Sequence, residues 1–147
     1  MSAESGLKRF IDAWHSGYAT ALSEIKRGRK VSHWMWYVFP QIQGLGFSET
    51  SKYYAIRNVP EAQAFLNHPV LGPGLIGICQ ALLDLGTSDA GGIFGSPDDL
   101  KLKSSMTLFV SIPDTNPIFQ KVLDQFFNGT MDSRTLEIIG TQPSFNN

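Results

Sequence analysis

Residues 29–41 read Arg-Lys-Val-Ser-His-Trp-Met-Trp-Tyr-Val-Phe-Pro-Gln. How this stretch folds decides whether the chain is wholly helical. Two of the three tryptophans lie in it, and so many large rings in a row cannot all enter one core. On helical spacing Trp34 and Tyr37 share a face while Trp36 points elsewhere, so at least one ring lines a surface or groove. Ser32 is placed to cap a short helix over 33–39. Pro40 would end that helix, because proline disfavours helical geometry in the residue before it. A buried strand fits the same aromatic run, and periodicity does not separate the two.

The flanking segments are clearer. Leu7, Phe10, Ile11, Trp14, Tyr18, Ala21, Leu22 and Ile25 recur at three- and four-residue steps, which is one face of an amphipathic helix. Gly28 is a natural stop, and Lys26 and Arg27 suit the negative end of the helix dipole. Gly44 and Gly46 mark a loop after Gln41. A helix starts at Ser48 or Glu49 and runs to Ile56. Asn58 and Pro60 open the next, which His68-Pro69 closes. Residues 71–85 read as a mostly buried helix and 86–95 as a glycine-rich loop. Ser96-Pro97-Asp98-Asp99 starts a helix running towards Pro113, with cap, proline and acidic first turn in order. Asn116-Pro117 opens another that ends at Gly129. Asp132 caps a last one that Gly140 closes. No internal repeat and no long linker divides the chain. The expectation is a compact all-α single-domain bundle of six to eight short helices over 1–140, followed by a polar tail over 141–147.

Composition narrows the function. A chain of 147 residues is long enough for one domain with its own core. It is 42% hydrophobic and 17% charged, which argues against disorder over most of its length. A net charge of −1 gives no global field for nucleic acid or anionic lipid. No apolar stretch approaches the roughly 20 residues of a membrane span, and residues 1–9 contain no signal core. A cytoplasmic protein without a membrane partner is expected. Cys79 is the one cysteine; set among apolar neighbours, it reads as a buried inert thiol. No cofactor is expected. Gly72-Pro73-Gly74-Leu75-Ile76-Gly77 matches the dinucleotide fingerprint in spacing only, with a proline in the turn and no preceding strand. No metal is expected either, since His15, His33 and His68 are not one helical turn from a second histidine or a cysteine.

Two clusters remain as candidates for chemistry. His33, beside the basic run 26–30, suits an acid–base role or contact with an anion. Its ordinary alternative is an imidazole bonded to backbone near a helix start. Trp34 and Trp36 suit stacking on a planar ligand, or simple core packing. The second cluster is 101–107, where Lys103, Ser104 and Thr107 can share a helix face. Their ordinary role is a solvated face whose hydroxyls bond back to the helix.

These same residues carry a resemblance. Gly28-Arg29-Lys30-x-Ser32-His33-Trp34-Met35-Trp36 is followed by Phe39-Pro40-Gln41 and Gly44-Leu45-Gly46-x-Ser48. Ser51 and Tyr54-Ala55-Ile56 come next, and later Lys101-Leu102-x-Ser104-Ser105-Met106-Thr107. Together they resemble the bacterial family known as domain of unknown function 1810, from about Phe10 to Leu136. The resemblance implies a mainly helical single domain and no known activity. Some relatives carry a calpastatin label, but nothing in this sequence supports protease inhibition. One departure is Pro73-Gly74, near which relatives more often carry a basic residue.

Lys30, Ser32, His33, Gln41, Ser104 and Ser105 are of exposed type, and polar groups gathered with aromatics commonly line a pocket. The expectation is therefore a polar–aromatic cleft between 30–54 and 101–107 that takes a small anionic or nucleotide-like ligand. In it Trp34 or Trp36 stacks, and Lys30 and Lys103 meet anionic oxygens. Ser32, Gln41, Tyr54, Ser104 and Ser105 complete the lining, and His33 acts as acid–base group if the ligand is hydrolysed. The rival expectation is a non-enzymatic module that uses 33–39 as a partner-binding patch.

Overall fold

Helix α1 spans Lys8–Lys26 and buries Phe10, Trp14, Ala21 and Ile25. The apolar stripe in the sequence is wider than this buried face: Ile11, Tyr18 and Leu22 are only half-buried at its margin. The helix stops at Gly28, which takes φ +81° and donates its N–H to Ile25 O at 2.8 Å. A residue with a side chain resists that left-handed geometry. The computed structural model describes residues 6–141. The first five residues, and 142–147 of the expected tail, lie outside the described residues.

The aromatic segment resolves as a helix. Helix α2 is Met35–Val38, and its first flanking residue is Trp34, with no side-chain cap. Ser32 does not cap it, because Glu24 already holds the Ser32 hydroxyl and N–H. Helix α3, Glu49–Tyr53, is capped by Ser48, which accepts from Ser51 N–H. It ends before Ile56 because that residue joins Ile42 in an isolated parallel bridge. The bridge is made by Gln43 N–H to Ile56 O at 2.7 Å and Ile56 N–H to Gln41 O at 2.8 Å.

Helix α4 is Val59–Asn67, with Asn58 accepting from Glu61 N–H as expected. Helix α5 is Leu71–Asp84. His68 Nδ1 accepts from Val70 and Leu71 N–H at 3.1 and 3.3 Å and so shapes the entry to α5. The two helices meet at 87°. Gly72 makes this corner possible, since a Cβ there would lie 1.9 Å from Leu66 O.

The 86–95 stretch is not all loop. It holds helix α6, Ala90–Phe94, started by Asp89 accepting from Gly92 N–H. Burial of Ile93 and Phe94 outweighs the low helix propensity of Gly91 and Gly92. Helix α7, Asp98–Val110, has Pro97 rather than Ser96 at its cap position, and no side-chain cap. Helix α8 is Ile118–Phe127 and ends in left-handed Asn128. Helix α9, Ser133–Thr141, begins where Asp132 Oδ2 accepts from Thr135 N–H at 3.0 Å. It passes through Gly140 instead of stopping there.

Helix α7 is the centre of the bundle. Leu102 and every residue from Ser104 to Phe109 are buried, and α4, α6, α8 and α9 all pack on it. A line of rings ties the layers together. Phe10 meets Phe65 at 5.1 Å, Phe65 meets Phe109 at 5.6 Å, and Phe109 meets Phe119 at 5.4 Å. Such tilted and edge-on contacts are the favoured arrangement of aromatic pairs. Helix α1 packs on α2 and α5, and α5 packs on α4 and α8. Cys79 is fully buried beside Met106, and burial pushes its thiol pKa far up. Among the described residues no single helix is long and apolar enough to cross a membrane.

Candidate functional site

The segment flagged by the sequence is organised by a residue the sequence reading passed over. Glu24 lies on the buried face of α1, 4% exposed. Its Oε1 accepts from Val31 N–H at 2.8 Å, Ser32 N–H at 2.9 Å and Trp34 Nε1–H at 2.8 Å. Its Oε2 accepts from the Ser32 hydroxyl at 2.6 Å. Burial alone would raise the carboxyl pKa, but these hydrogen bonds outweigh it and hold the group at about 2. A carboxylate with that many donors stays charged and fixes the loop around it. A signal was present: an acid between Ala21 and Ile25 stands on an apolar helical stripe, where an unpaired charge would be costly.

Lys30 is committed as well. Its side chain is 8% exposed and its Nζ is 2.9 Å from Asp98 Oδ2. It lies 5.2 Å over the Trp34 ring, and its backbone N–H donates to Ile93 O. Lys101 completes the group, 3.3 Å from Asp98 Oδ1 and 5.3 Å over the Trp36 ring. So segments 30–54 and 101–107 do meet, at the start of α7. Their contact is an ion-pair clasp in which Lys30 and Lys101 share the Asp98 carboxylate, one oxygen each. Trp34 is buried, Trp36 half-buried and His33 exposed. Among the described residues His33 has no hydrogen-bond or ion-pair partner.

The other predicted residues scatter. Gln41 contributes its backbone carbonyl to the Ile56 bridge. Tyr54 is half-buried, its ring 6.0 Å from Phe10 and 5.5 Å from Tyr37. Lys103 lies 5.9 Å over Phe127, since two residues along a helix turn it well away from the Lys101 side. The Ser104 hydroxyl donates back to Leu100 O at 3.2 Å. Ser105 is wholly buried, with no partner for its hydroxyl. Thr107 donates to Lys103 O at 2.8 Å and accepts from Asp132 N–H at 2.9 Å, tying α9 to α7.

An open hollow lies elsewhere, between α1 and the start of α5. It has a volume of about 310 Å³, with Trp14, Tyr18, His15 and Gly74 among its lining. Trp14 and Tyr18 stack at 4.6 Å with 15° between planes. Both rings are anchored: Trp14 Nε1–H donates to Tyr37 O at 2.7 Å, and the Tyr18 hydroxyl donates to Gly74 O at 2.6 Å. Burial raises the Tyr18 phenol pKa, so the group remains a neutral donor. Gly74 is required here, because a Cβ would come 2.3 Å from Trp14 Cζ3. The departure noted in the sequence at Pro73-Gly74 thus falls on the wall of this hollow. Ile11, Ala19 and Val70 supply aliphatic lining, and Val70 is 57% exposed. His15 is exposed and, among the described residues, unpaired. The sequence named His15 but gave it no role, since nothing local joins it to α5.

No cluster of three or more potential metal ligands occurs among the described residues.

The molecule is an all-α domain with an internally hydrogen-bonded carboxylate and an ion-pair clasp on one segment and an open aromatic hollow on another. The chain belongs to the family described as protein of unknown function (DUF1810), which matches residues 4–139. Its structure is similar to that of the conserved hypothetical protein Rv1873 from Mycobacterium tuberculosis, with a TM-score of 0.90 and 42% sequence identity. That similarity covers 92% of this chain and 97% of the other. No curated protein matches the chain.

Proposed function

We propose that the protein binds a small, largely apolar molecule in the hollow between α1 and α5. The observation that carries this reading is the cavity of about 310 Å³ floored by the stacked Trp14 and Tyr18 rings. Small-molecule sites are typically concave and mostly apolar, with a few polar groups that orient the ligand, and they start at about 300 Å³. His15 is the polar group at hand, free of any intramolecular partner among the described residues.

The reading is one of binding rather than hydrolysis. The acid–base role expected of His33 needs an imidazole whose tautomer and orientation are fixed by a neighbour. An exposed His33 with no partner lacks that support. The clasp around Lys30 is a poor host for an anion as well: the Lys30 side chain is only 8% exposed and already paired with Asp98, whose carboxylate would repel a second negative group.

The test is a thermal-shift screen of apolar and aromatic fragments, followed by titration while watching the Trp14 indole N–H resonance. Hits should raise the melting temperature and move that resonance. Val70→Glu, which puts a charge on the exposed apolar wall, should weaken them at least tenfold while the protein stays folded. Hits that bind Val70→Glu as well as wild type, or that leave the Trp14 signal unmoved, would sink the proposal.

A further inference from the structure

The hollow does not end at Ala19. A second hollow of about 380 Å³ includes Ala19, Leu22, Lys26 and Arg27 in its lining. A third, of about 240 Å³, shares Lys26 with it and runs along Gly77, Gln80 and Asp84 of α5. The first hollow shares Ala19 with the second. The three adjoin as one open furrow along a stripe of α1, where residues 11, 15, 19, 22 and 26 follow each other at three- and four-residue steps; its middle section is lined by α1 and its C-terminal flank alone. Chemistry changes along it. One end is aromatic and aliphatic, and the other is cationic.

The cations are available. Lys26 and Arg27 are exposed. Among the described residues Lys26 has no ion-pair partner, and Arg27 bonds only the Ser23 carbonyl and hydroxyl, at 3.5 and 3.3 Å. Asp84 lines the third hollow with Lys26 and accepts from Gln80 Nε2 at 2.9 Å. Two cations against one carboxylate leave this end net positive. Eight residues separate Tyr18 from Lys26, which is about 12 Å along the helix.

Resting on the small-molecule reading above, we propose that the furrow takes an amphiphilic anion. Its apolar chain lies over Trp14, Tyr18 and Leu22, and its single anionic head sits at Lys26 and Arg27, about 12 Å from the aromatic end. An aliphatic body fits better than a flat ring. Ile11, Ala19, Leu22 and Val70 surround the ring pair with methyl groups. A free carboxylate head gains from two exposed cations at a helix C-terminus only modestly, so the chain supplies most of the affinity.

The experiment is calorimetric titration of the full chain with hexanoate, octanoate and decanoate below their micelle-forming concentrations, with decanol and decylamine as head-group controls. Each added methylene should raise affinity about 2- to 4-fold. Decanoate should bind tightest of the three head groups. Lys26→Ala/Arg27→Ala should weaken decanoate about 10-fold and leave decanol unchanged. Affinity independent of chain length, or a double variant that binds decanoate like wild type, overturns the proposal. Decanol binding equal to decanoate overturns the anionic head but leaves the small-molecule reading standing. That reading fails separately, if the fragment screen gives no Val70-sensitive hit. Binding to anionic vesicles without saturable binding of monomeric decanoate, or a dimer that covers the furrow, would assign the surface to a different occupant and also overturn it.

Discussion

Segment 29–41 and the α1–α5 furrow hold similar residue types and, His33 aside, put them to opposite use. In the first, the Ser32 hydroxyl, Trp34 indole and Lys30 ammonium all have partners inside the molecule. In the second, His15 and Lys26 have none among the described residues, and apolar Val70 stands 57% exposed. Polar groups with internal partners hold a fold together, and free ones are available to a ligand. A motif rich in Ser, His, Trp and Lys is therefore no guide to a site until its hydrogen bonds are traced.

The sharpest way to break this contrast is Glu24→Ala. It would strand the buried Trp34 indole N–H and two backbone N–H groups. Breaking such a buried charged network costs about 3–5 kcal/mol, or roughly 6–20 °C in melting temperature for a chain of this size. Thermal unfolding measures it. A loss under 1 kcal/mol would mean that Glu24 does not organise the segment.

Acid should act through the same group. Glu24 is held at about 2, and Glu61 is also held low. There burial pushes the carboxyl up, but the Arg57 backbone and guanidinium and the Arg9 guanidinium outweigh it. Groups whose folded pKa is depressed contribute stability that is complete above the unfolded value, near 4.5, and lost as pH falls through the folded one. Stability should hold from pH 7 to about 5 and fall steeply towards pH 2. Urea unfolding across that range should show a shallower acid limb for Glu24→Gln than for wild type.

On the furrow side, two glycines of α5 should respond with opposite signs. Gly74→Ala forces a Cβ to 2.3 Å from the Trp14 ring, and overpacking of this kind costs about 1–3 kcal/mol. Gly77→Ala meets only the Tyr18 hydroxyl at 3.5 Å, an ordinary contact, and should gain about 0.5–1 kcal/mol from helix propensity. Equal effects at the two positions would mean that Trp14 does not rest on α5 as described. The smallest change is expected for His33→Ala. An exposed, unpartnered side chain should alter stability by less than about 0.5 kcal/mol, read by the same urea unfolding.

Helix boundaries were legible where local chemistry sets them. Gly28, Asn58 and Asp132 act at the ends predicted for them, whereas Asn116 lies one residue outside the cap position of α8, which Pro117 takes. Ser32 and Ser96 carry the same type of signal and do not cap. A carboxylate from α1 claims the first, and α7 begins at Asp98 without a side-chain cap. Helix α6 was hidden because the burial of Ile93 and Phe94, rather than glycine propensity, makes it form.

By itself, then, the sequence determined a mainly helical chain, the stripes that build its core and most of its helix ends, because those follow from periodicity and from bonds within a few residues. Only the tertiary structure decided which polar side chains are occupied and which are free. Glu24 meets Trp34 across the turn from α1 to α2, Lys30 meets Asp98 at the start of the distant α7, and the aromatic hollow exists only because α5 lies beside α1. Whether a group is satisfied depends on what stands within about 3 Å of it, and that is a property of the packed molecule.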